Sequence, residues 1–160
     1  MHPSITRFGR LVFRTLLVAA VALVCARRAE AAASCTISVN GVSFGAYDVF
    51  SATALDSTGT VTISCRGNAI NVSVTLSKGA ANSFSPRAMS SGADTLTYNL
   101  FTDAARSTIW GDGTGGTSTY TNAGPANNTN IAITVYARIS SGQDVRAGSY
   151  SDTVTAIVNF

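Results

Sequence analysis

The stretch GVSFG, Gly41 to Gly45, could carry covalent chemistry, because it matches the G-x-S-x-G pattern that presents a nucleophilic serine. That pattern works at a sharp turn from a strand into a helix, and no helical periodicity follows Ser43. A serine nucleophile also needs a general base, and the only histidine of the chain is His2. We therefore interpret the two glycines as positions where a first strand bends or bulges.

Other candidate sites are equally incomplete. The loop GDGTGG, Gly111 to Gly116, has the glycine content of a calcium loop, but Asp112 is its single carboxylate, and such loops use several. Seven aspartates follow residue 31, and a pair of them could in principle hydrolyse a glycoside. Most lie at predicted turns, where Asp caps backbone groups. We therefore predict that the protein is not an enzyme and uses no cofactor or metal.

The first 31 residues have the pattern of an export signal. Arginines precede a short apolar run, Leu16–Ala26, and small residues follow it. The run is shorter than a membrane-spanning helix requires. We predict a signal peptide over residues 1–31, cleaved after Ala31 or alternatively after Ala33, and one mature domain over residues 32–160.

Removing the signal changes the electrostatic character of the chain. The full sequence has a formal net charge of +3, but five of its 11 Lys and Arg and one of its eight acids lie in residues 1–31. The remaining six bases and seven acids give a net charge of about −1. The six bases are scattered, whereas nucleic-acid binding requires clustered Lys and Arg. We therefore predict no nucleic-acid partner.

The composition of the mature part favours an all-β fold. Residues 32–160 contain one Lys and no Glu, so the residues that build helices are mostly missing. Alternating β-branched and polar residues predict about seven strands, which is typical of a β-sandwich. The clearest strands are Cys35–Val39, Gly59–Arg66, Ala69–Ser77, Asp94–Thr102, Asn130–Ile139 and the closing segment Gly148–Phe160.

The connections between these segments are less regular. The turn Gly67–Ala69 predicts a hairpin between Gly59–Arg66 and Ala69–Ser77. We interpret residues 49–57 as a loop. Residues 78–94 are polar and interrupted by Gly and Pro, so we interpret them as a loop with an edge strand.

Three residues with special side chains remain. Cys35 and Cys65 are the cysteines of the mature part, and two cysteines in an exported domain predict a disulfide. Trp110 is the only tryptophan, and it stands beside the glycine-rich loop. Its ring could stack on a sugar, or it could pack over the end of the sandwich.

Several segments, taken in order, resemble the spore coat protein U family, which includes pilus subunits of the archaic chaperone–usher pathway. They are SCTISVNGVSFGAYD, GTVTISC, LTYNLFTDAARSTIWGDG, VYARI and AGSYSDTVTAIVNF. Together they span Cys35 to Phe160. The resemblance implies an immunoglobulin-like β-sandwich that lacks its final strand.

The resemblance also implies a function and a set of partners. In such subunits a periplasmic chaperone lends a strand during export, and the N-terminal extension of a neighbouring subunit later replaces it. The implied partners are a periplasmic chaperone, an outer-membrane usher and neighbouring subunits. The implied location is the periplasm in transit and then the cell surface. Cys35 and Cys65 match the disulfide of the family. The residues implied to line the acceptor groove and to meet the chaperone are Tyr150, Val154, Ala156, Val158 and Phe160.

Two expectations concern the position of such a subunit. After cleavage behind Ala31, three residues precede Cys35, so we expect a chain that accepts a strand without giving one. This favours a chain-end or tip-type subunit, or a secreted domain that does not polymerise. The alternative is an adhesin-like binding module whose loops around Trp110 or Phe84 contact carbohydrate or a surface.

Overall fold

The computed structural model describes residues 32–125 and 127–160, so the predicted signal peptide lies outside the described residues. The described part contains eight strands and no helix. The strands are β1 (Ser34–Asn40), β2 (Leu55–Arg66), β3 (Val72–Leu76), β4 (Arg87–Ser91), β5 (Asp94–Phe101), β6 (Tyr120–Asn122), β7 (Asn130–Ile139) and β8 (Ala156–Asn159). The predicted all-β class is confirmed.

The strands form two antiparallel sheets around one core. The first sheet has the order β1-β2-β7-β5-β4, and the second has the order β6-β3-β8. One cluster of buried side chains joins them, with Ile63 from β2, Val74 from β3 and Ala137 from β7 among its members. This is a β-sandwich, in which alternate residues of each strand face the neighbouring sheet.

The alternation seen in the sequence selects the buried face correctly. In β2, the side chains of Val61, Ile63 and Cys65 are buried, and the residues between them are more exposed. Because successive side chains of a strand point to opposite sides, this pattern fixes the register of β2 against the core. Burying a Val or Ile side chain contributes about 1.5–3 kcal/mol.

The predicted hairpin between Gly59–Arg66 and Ala69–Ser77 is wrong. β2 pairs with β1 and with β7, whereas β3 belongs to the other sheet and pairs with β6 and β8. Both edges of β2 are therefore occupied, and the chain crosses the core between the two strands. Ile70 precedes β3 and is exposed, so it does not share the buried face of Val72, Val74 and Leu76.

The predicted loop over residues 49–57 is also partly wrong, since β2 begins at Leu55. Leu55 pairs with Ile139 and Asp56 with Arg138 at the end of the β7 ladder. The guanidinium of Arg138 donates two hydrogen bonds to Asp56, of 2.7 and 2.9 Å. The ion pair between Asp56 and Arg138 stabilises the end of the β2–β7 ladder, although the sequence there is polar. The expected edge strand within residues 78–94 is present as β4.

The disulfide joins Cys35 of β1 to Cys65 of β2, as predicted. The two residues are direct partners in the antiparallel ladder, with their Cα atoms 4.1 Å apart. The bond therefore ties the first strand of the domain to the core.

Candidate functional site

The candidate site lies beside two strands, β1 and β8, each of which is at the edge of its sheet. β1 ends one side of the first sheet, and β8 ends one side of the second sheet. Both strands approach each other across the sandwich. A sheet edge presents unpaired backbone N–H and C=O groups, which can bind a further strand.

One wall of the site is the segment that follows β1. Gly59 in β2 lets the chain pass closely, since a Cβ atom there would lie 2.9 Å from the carbonyl oxygen of Asn40 and from Cγ2 of Val42. Beyond Asn40 the ladder with β2 stops. Within the described part of the chain, the backbone N–H groups of residues 41–47 donate no hydrogen bond. This segment continues the chain beyond β1 without a ladder partner, and the carbonyl of Ser43 accepts a hydrogen bond from the hydroxyl of Ser57.

Side chains hold that wall against the core. Val42, Phe44 and Tyr47 are half-buried and pack against the core cluster. The ring of Phe44 meets the ring of Tyr98 edge to face, with 6.0 Å between centroids. The hydroxyl of Tyr47 donates a 3.0 Å hydrogen bond to the carbonyl of Ser140. The wall is therefore positioned from within, while its backbone edge stays open.

The opposite wall is the C-terminal segment, in which every second side chain points inward. The half-buried residues are Tyr150, Asp152, Val154, Ala156 and Val158. The hydroxyl of Tyr150 donates a 2.9 Å hydrogen bond to the carbonyl of Arg146, which fixes the start of the wall. Its end is fixed by the β3–β8 ladder, from Ser73↔Asn159 to Leu76↔Ala156.

The structure brings four of the five predicted groove residues together, and it places the fifth elsewhere. Tyr150, Val154, Ala156 and Val158 all pack against the core. Phe160 was expected to point inward, but it is 53% exposed. It follows the last residue of the β3–β8 ladder, Asn159, and no packing against the core holds its ring.

A groove with an apolar floor lies between the two walls. Its volume is about 390 Å³, and its floor consists of the side chains of Val61, Leu76, Tyr98, Leu100 and Val135. A second cleft of about 630 Å³ continues it toward residues 45–50 and 145–148. Both clefts share lining from Val42, Phe44, Met89 and Tyr150. Together they form one elongated depression flanked by two unpaired backbone edges.

Asp152 is the charged member of the inward-facing row, and the sequence prediction omitted it. Its carboxylate accepts hydrogen bonds from the hydroxyl of Tyr98 at 2.7 Å and from the backbone N–H of Ala80 at 2.8 Å. Burial and the bond to Asp152 raise the pKa of Tyr98 well above its usual range, so the phenol is the donor. The signal that could have found Asp152 is its register, midway between Tyr150 and Val154.

Arg87 lies fully buried beneath this cluster. Its guanidinium donates hydrogen bonds to the carbonyls of Ser77 and Trp110 and to the side chain of Asn99. It also stacks on the ring of Phe84 at 5.3 Å. Burial lowers the pKa of Arg87, which the nearby charges partly oppose. Buried side-chain nitrogen and oxygen atoms all have hydrogen-bond partners within residues 32–125 and 127–160.

The aromatic residues proposed for surface binding are both part of the interior. Trp110 is 0% exposed, and the Phe84 ring is covered by Arg87 and Lys78. Of the two alternatives for Trp110, packing inside the sandwich is the one that the structure shows. The alternative of a carbohydrate-binding loop therefore finds no support at these two residues.

The residues considered for catalysis and metal binding, Ser43 and Asp112, do not form a site with other chemical groups in the described residues. Ser43 is exposed on the first wall, and Asp112 accepts hydrogen bonds from the backbone and the hydroxyl of Thr114. These bonds lower the pKa of Asp112. Within the described ranges, no three potential metal ligands cluster. The same residues contain no helix of the length and hydropathy that a membrane span requires.

Comparison with protein families identifies the domain. The model of the Spore Coat Protein U domain matches residues 20–157. The chain belongs to the Spore Coat Protein U domain family. The predicted resemblance is thereby confirmed, and family membership supports the predicted non-enzymatic class.

Known proteins agree with this assignment. Protein U of Myxococcus xanthus is 33% identical over 131 residues, which cover 74% of this chain and 71% of that protein. A structural neighbour is a chain of the chaperone–tip adhesion subunit pre-assembly complex (CsuC–CsuE) from archaic chaperone–usher Csu pili of Acinetobacter baumannii. It has a TM-score of 0.58 and 26% identity over 81% of this chain. The present chain spans 40% of that neighbour's length.

A second solved structure is more distant. The minor tip subunit HdaB of the Escherichia coli Hda pilus has a TM-score of 0.41 and 16% identity, with 77% of this chain and 79% of that chain covered.

Proposed function

We propose that this chain is an exported structural subunit of a chaperone–usher pilus, completed by a β-strand from another chain. The observation that carries the proposal is the groove between residues 39–44 and 150–156, which combines an apolar floor with two open backbone edges. Membership in the Spore Coat Protein U domain family supports it. So does the likeness to a chain from a chaperone–subunit complex of Csu pili.

An added strand would satisfy both features of the groove at once. Its backbone would bond to the free edge of β8 and to residues 41–47, while alternate side chains would enter the apolar floor. The stretch from Tyr150 to Ala156 has seven residues, and at about 3.3 Å per residue an extended donor would run for roughly 23 Å. Backbone pairing would supply affinity, and the pockets for alternate side chains would supply specificity.

The partners that follow from this role are a periplasmic chaperone, an outer-membrane usher and neighbouring subunits. The predicted signal peptide over residues 1–31 would direct the chain to the periplasm, and assembly would then place it at the cell surface. We extend the proposal to a tip-type position, which the likeness to a complex of a tip adhesion subunit supports.

A strand-binding assay tests the proposal. The probe is a fluorescent peptide of about twelve residues in which Val and Thr alternate, with Lys at each end for solubility. The exported protein, purified from a bacterial periplasm, is expected to raise the anisotropy of this peptide in a saturable way. A scrambled peptide that lacks the alternation is expected to bind more weakly, because fewer of its apolar side chains would face the floor.

Two neighbouring residues of β8 provide a matched pair of variants. Ala156 points into the groove and is half-buried, whereas Ile157 points outward and is 52% exposed. Ala156→Lys is expected to abolish peptide binding, because a long charged side chain would occupy the site of the donor. Ile157→Lys is expected to leave binding unchanged. Equal binding by both variants and the unaltered protein, or no binding by the unaltered protein, would contradict the proposal.

A further inference from the structure

We propose that Asp152 is a positioning residue that holds the C-terminal wall of the groove in place while the groove is empty, ready to receive a strand. This inference rests on the proposed strand-accepting function. Asp152 occupies an inward position between Tyr150 and Val154, where an apolar side chain would be expected. A carboxylate in that row therefore requires a reason other than core packing.

The place of Asp152 in the wall gives that reason. From Ala156 onward the wall is part of the second sheet and pairs with β3. Around Ser151 it pairs instead with Ser90 of β4, at the edge of the first sheet. Residues 152–154 cross between the two sheets without ladder hydrogen bonds, and Thr155, which is hydrogen-bonded to Ser77, begins the contact with the second sheet. Asp152 stands at the start of this crossing.

The side chain of Asp152 replaces the missing ladder. Oδ1 accepts hydrogen bonds from the backbone N–H of Ala80 and of Thr153, at 2.8 and 2.7 Å. Oδ2 accepts one from the hydroxyl of Tyr98, whose ring is part of the floor, at 2.7 Å. One carboxylate thus ties the crossing to the turn after β3 and to β5. Each bond to an ionised acceptor is stronger than a neutral one.

Gly79 supports this arrangement from the other side. Its φ of +72° lies in the left-handed region, and a Cβ atom at this position would collide with the carboxylate of Asp152. Gly79 therefore provides both the turn and the space that Asp152 needs. The contact couples residues that are far apart in the sequence, which indicates a built arrangement rather than a free surface side chain.

The hydrogen bonds of Asp152 are expected to affect the binding of a donor strand more than the folding of the domain. In the empty groove, the outer edge of this wall lacks a strand partner. Asp152 therefore adds to the order that the hydrogen bonds of Ser151 to Ser90 and of Thr155 to Ser77 provide at the two ends of the crossing. In the filled groove, the donor strand would hold the same backbone. Without Asp152, binding would have to order the crossing segment as well, which lowers affinity. We expect Asp152→Ala to raise the Kd for the alternating Val/Thr peptide about tenfold.

The experiment compares four proteins by peptide anisotropy and by thermal unfolding. Asp152→Asn keeps an oxygen that accepts from the N–H groups of Ala80 and Thr153, and its amide N–H can donate to the Tyr98 hydroxyl oxygen, which reverses the direction of that bond. It is therefore expected to restore most of the affinity. Asp144→Ala removes an exposed carboxylate outside the groove and is expected to bind like the unaltered protein. A purely structural role would instead lower the Tm of the empty and the peptide-filled protein equally.

The outcomes separate the two proposals. If the unaltered protein does not bind the peptide, the strand-accepting function fails, and the role of Asp152 fails with it. If the unaltered protein binds and Asp152→Ala binds equally well, only the role of Asp152 is overturned. Amide hydrogen exchange of the unliganded proteins gives a second readout, because Asp152→Ala is expected to accelerate exchange at Ala80 and Thr153. Unchanged exchange at both amides would also overturn it.

Discussion

The indole Nε1 of Trp110 donates a 2.9 Å hydrogen bond to the carbonyl oxygen of Val74, in the central strand of the second sheet. The ring is fully buried and lies beside Tyr120 of the neighbouring strand β6. A residue that could have served a surface loop thus joins the loop to the core.

The bond from Trp110 predicts a measurable loss of stability. Trp110→Phe keeps an aromatic ring but leaves the carbonyl of Val74 without this donor. We expect the free energy of unfolding to fall by about 1–3 kcal/mol, measured by urea denaturation. Phe50→Ala is the control, since Phe50 is 93% exposed and should change stability by less than about 0.5 kcal/mol. Equal effects of the two variants would contradict the assigned role of Trp110.

Arg87 predicts a larger loss. Arg87→Met keeps an apolar stem but removes the donors that the carbonyls of Ser77 and Trp110 and the Asn99 side chain use. Unpaired buried acceptors are costly, so we expect the free energy of unfolding to fall by roughly 3 kcal/mol or more. Arg146→Met replaces an arginine whose side chain is 85% exposed, and it should have little effect. A small effect of Arg87→Met would show that the network is not needed for stability.

The ion pair between Asp56 and Arg138 predicts a pH dependence. The bidentate hydrogen bond from Arg138, followed by attraction to Arg106, lowers the pKa of Asp56 in the folded protein. The resulting stabilisation is therefore complete above the unfolded pKa of about 4 and is lost as pH falls through the lowered folded pKa. Because both side chains are more than a third exposed, solvent screening keeps the effect below about 1 kcal/mol.

The corresponding measurement compares the unaltered protein with Asp56→Asn by denaturation between about pH 7 and pH 2. The stability difference should be constant at neutral pH and shrink at acidic pH, when Asp56 becomes protonated. A difference that persists to the lowest pH would assign the effect to packing instead of charge.

The Cys35–Cys65 disulfide predicts a stability that depends on redox state. The bond spans 30 residues, and reducing it should lower the free energy of unfolding by about 3–4 kcal/mol in the chain-entropy model. The measurement is denaturation with and without dithiothreitol, with thiol alkylation to verify reduction. Because β1 is an edge strand, hydrogen exchange in residues 34–40 should accelerate most. Unchanged stability after complete reduction would contradict the prediction.

The sequence predicts where the strands lie in the chain better than it predicts which strands pair with one another. Alternation places Val61 and Ile63 on an inner face, because a period of two records only which side of a strand is apolar. The same pattern does not tell whether the next strand pairs with the first or lies across the core. For that reason β2 and β3 were predicted as a hairpin, although they belong to different sheets.

In the groove, too, the sequence predicts local alternation but not contacts between remote residues. Tyr150, Val154, Ala156 and Val158 could be predicted from their spacing and from the family resemblance, since all are apolar or aromatic residues in one register. Asp152 shares that register, but its carboxylate bonds to Tyr98 and to Ala80, which are remote in the chain, so the sequence alone does not reveal these contacts. Phe160 has the right spacing but lies beyond the end of the ladder, so spacing alone misplaces it.

Amide hydrogen exchange with and without the alternating Val/Thr peptide tests the strand-accepting groove most directly. In the protein alone, residues 41–47 should exchange rapidly, since their N–H groups donate no hydrogen bond within the described part of the chain. Peptide binding should slow exchange in residues 41–47 and 156–159 and leave the centre of β7 unchanged. Slow exchange of both segments in the protein alone, with no change on adding peptide, would contradict the account.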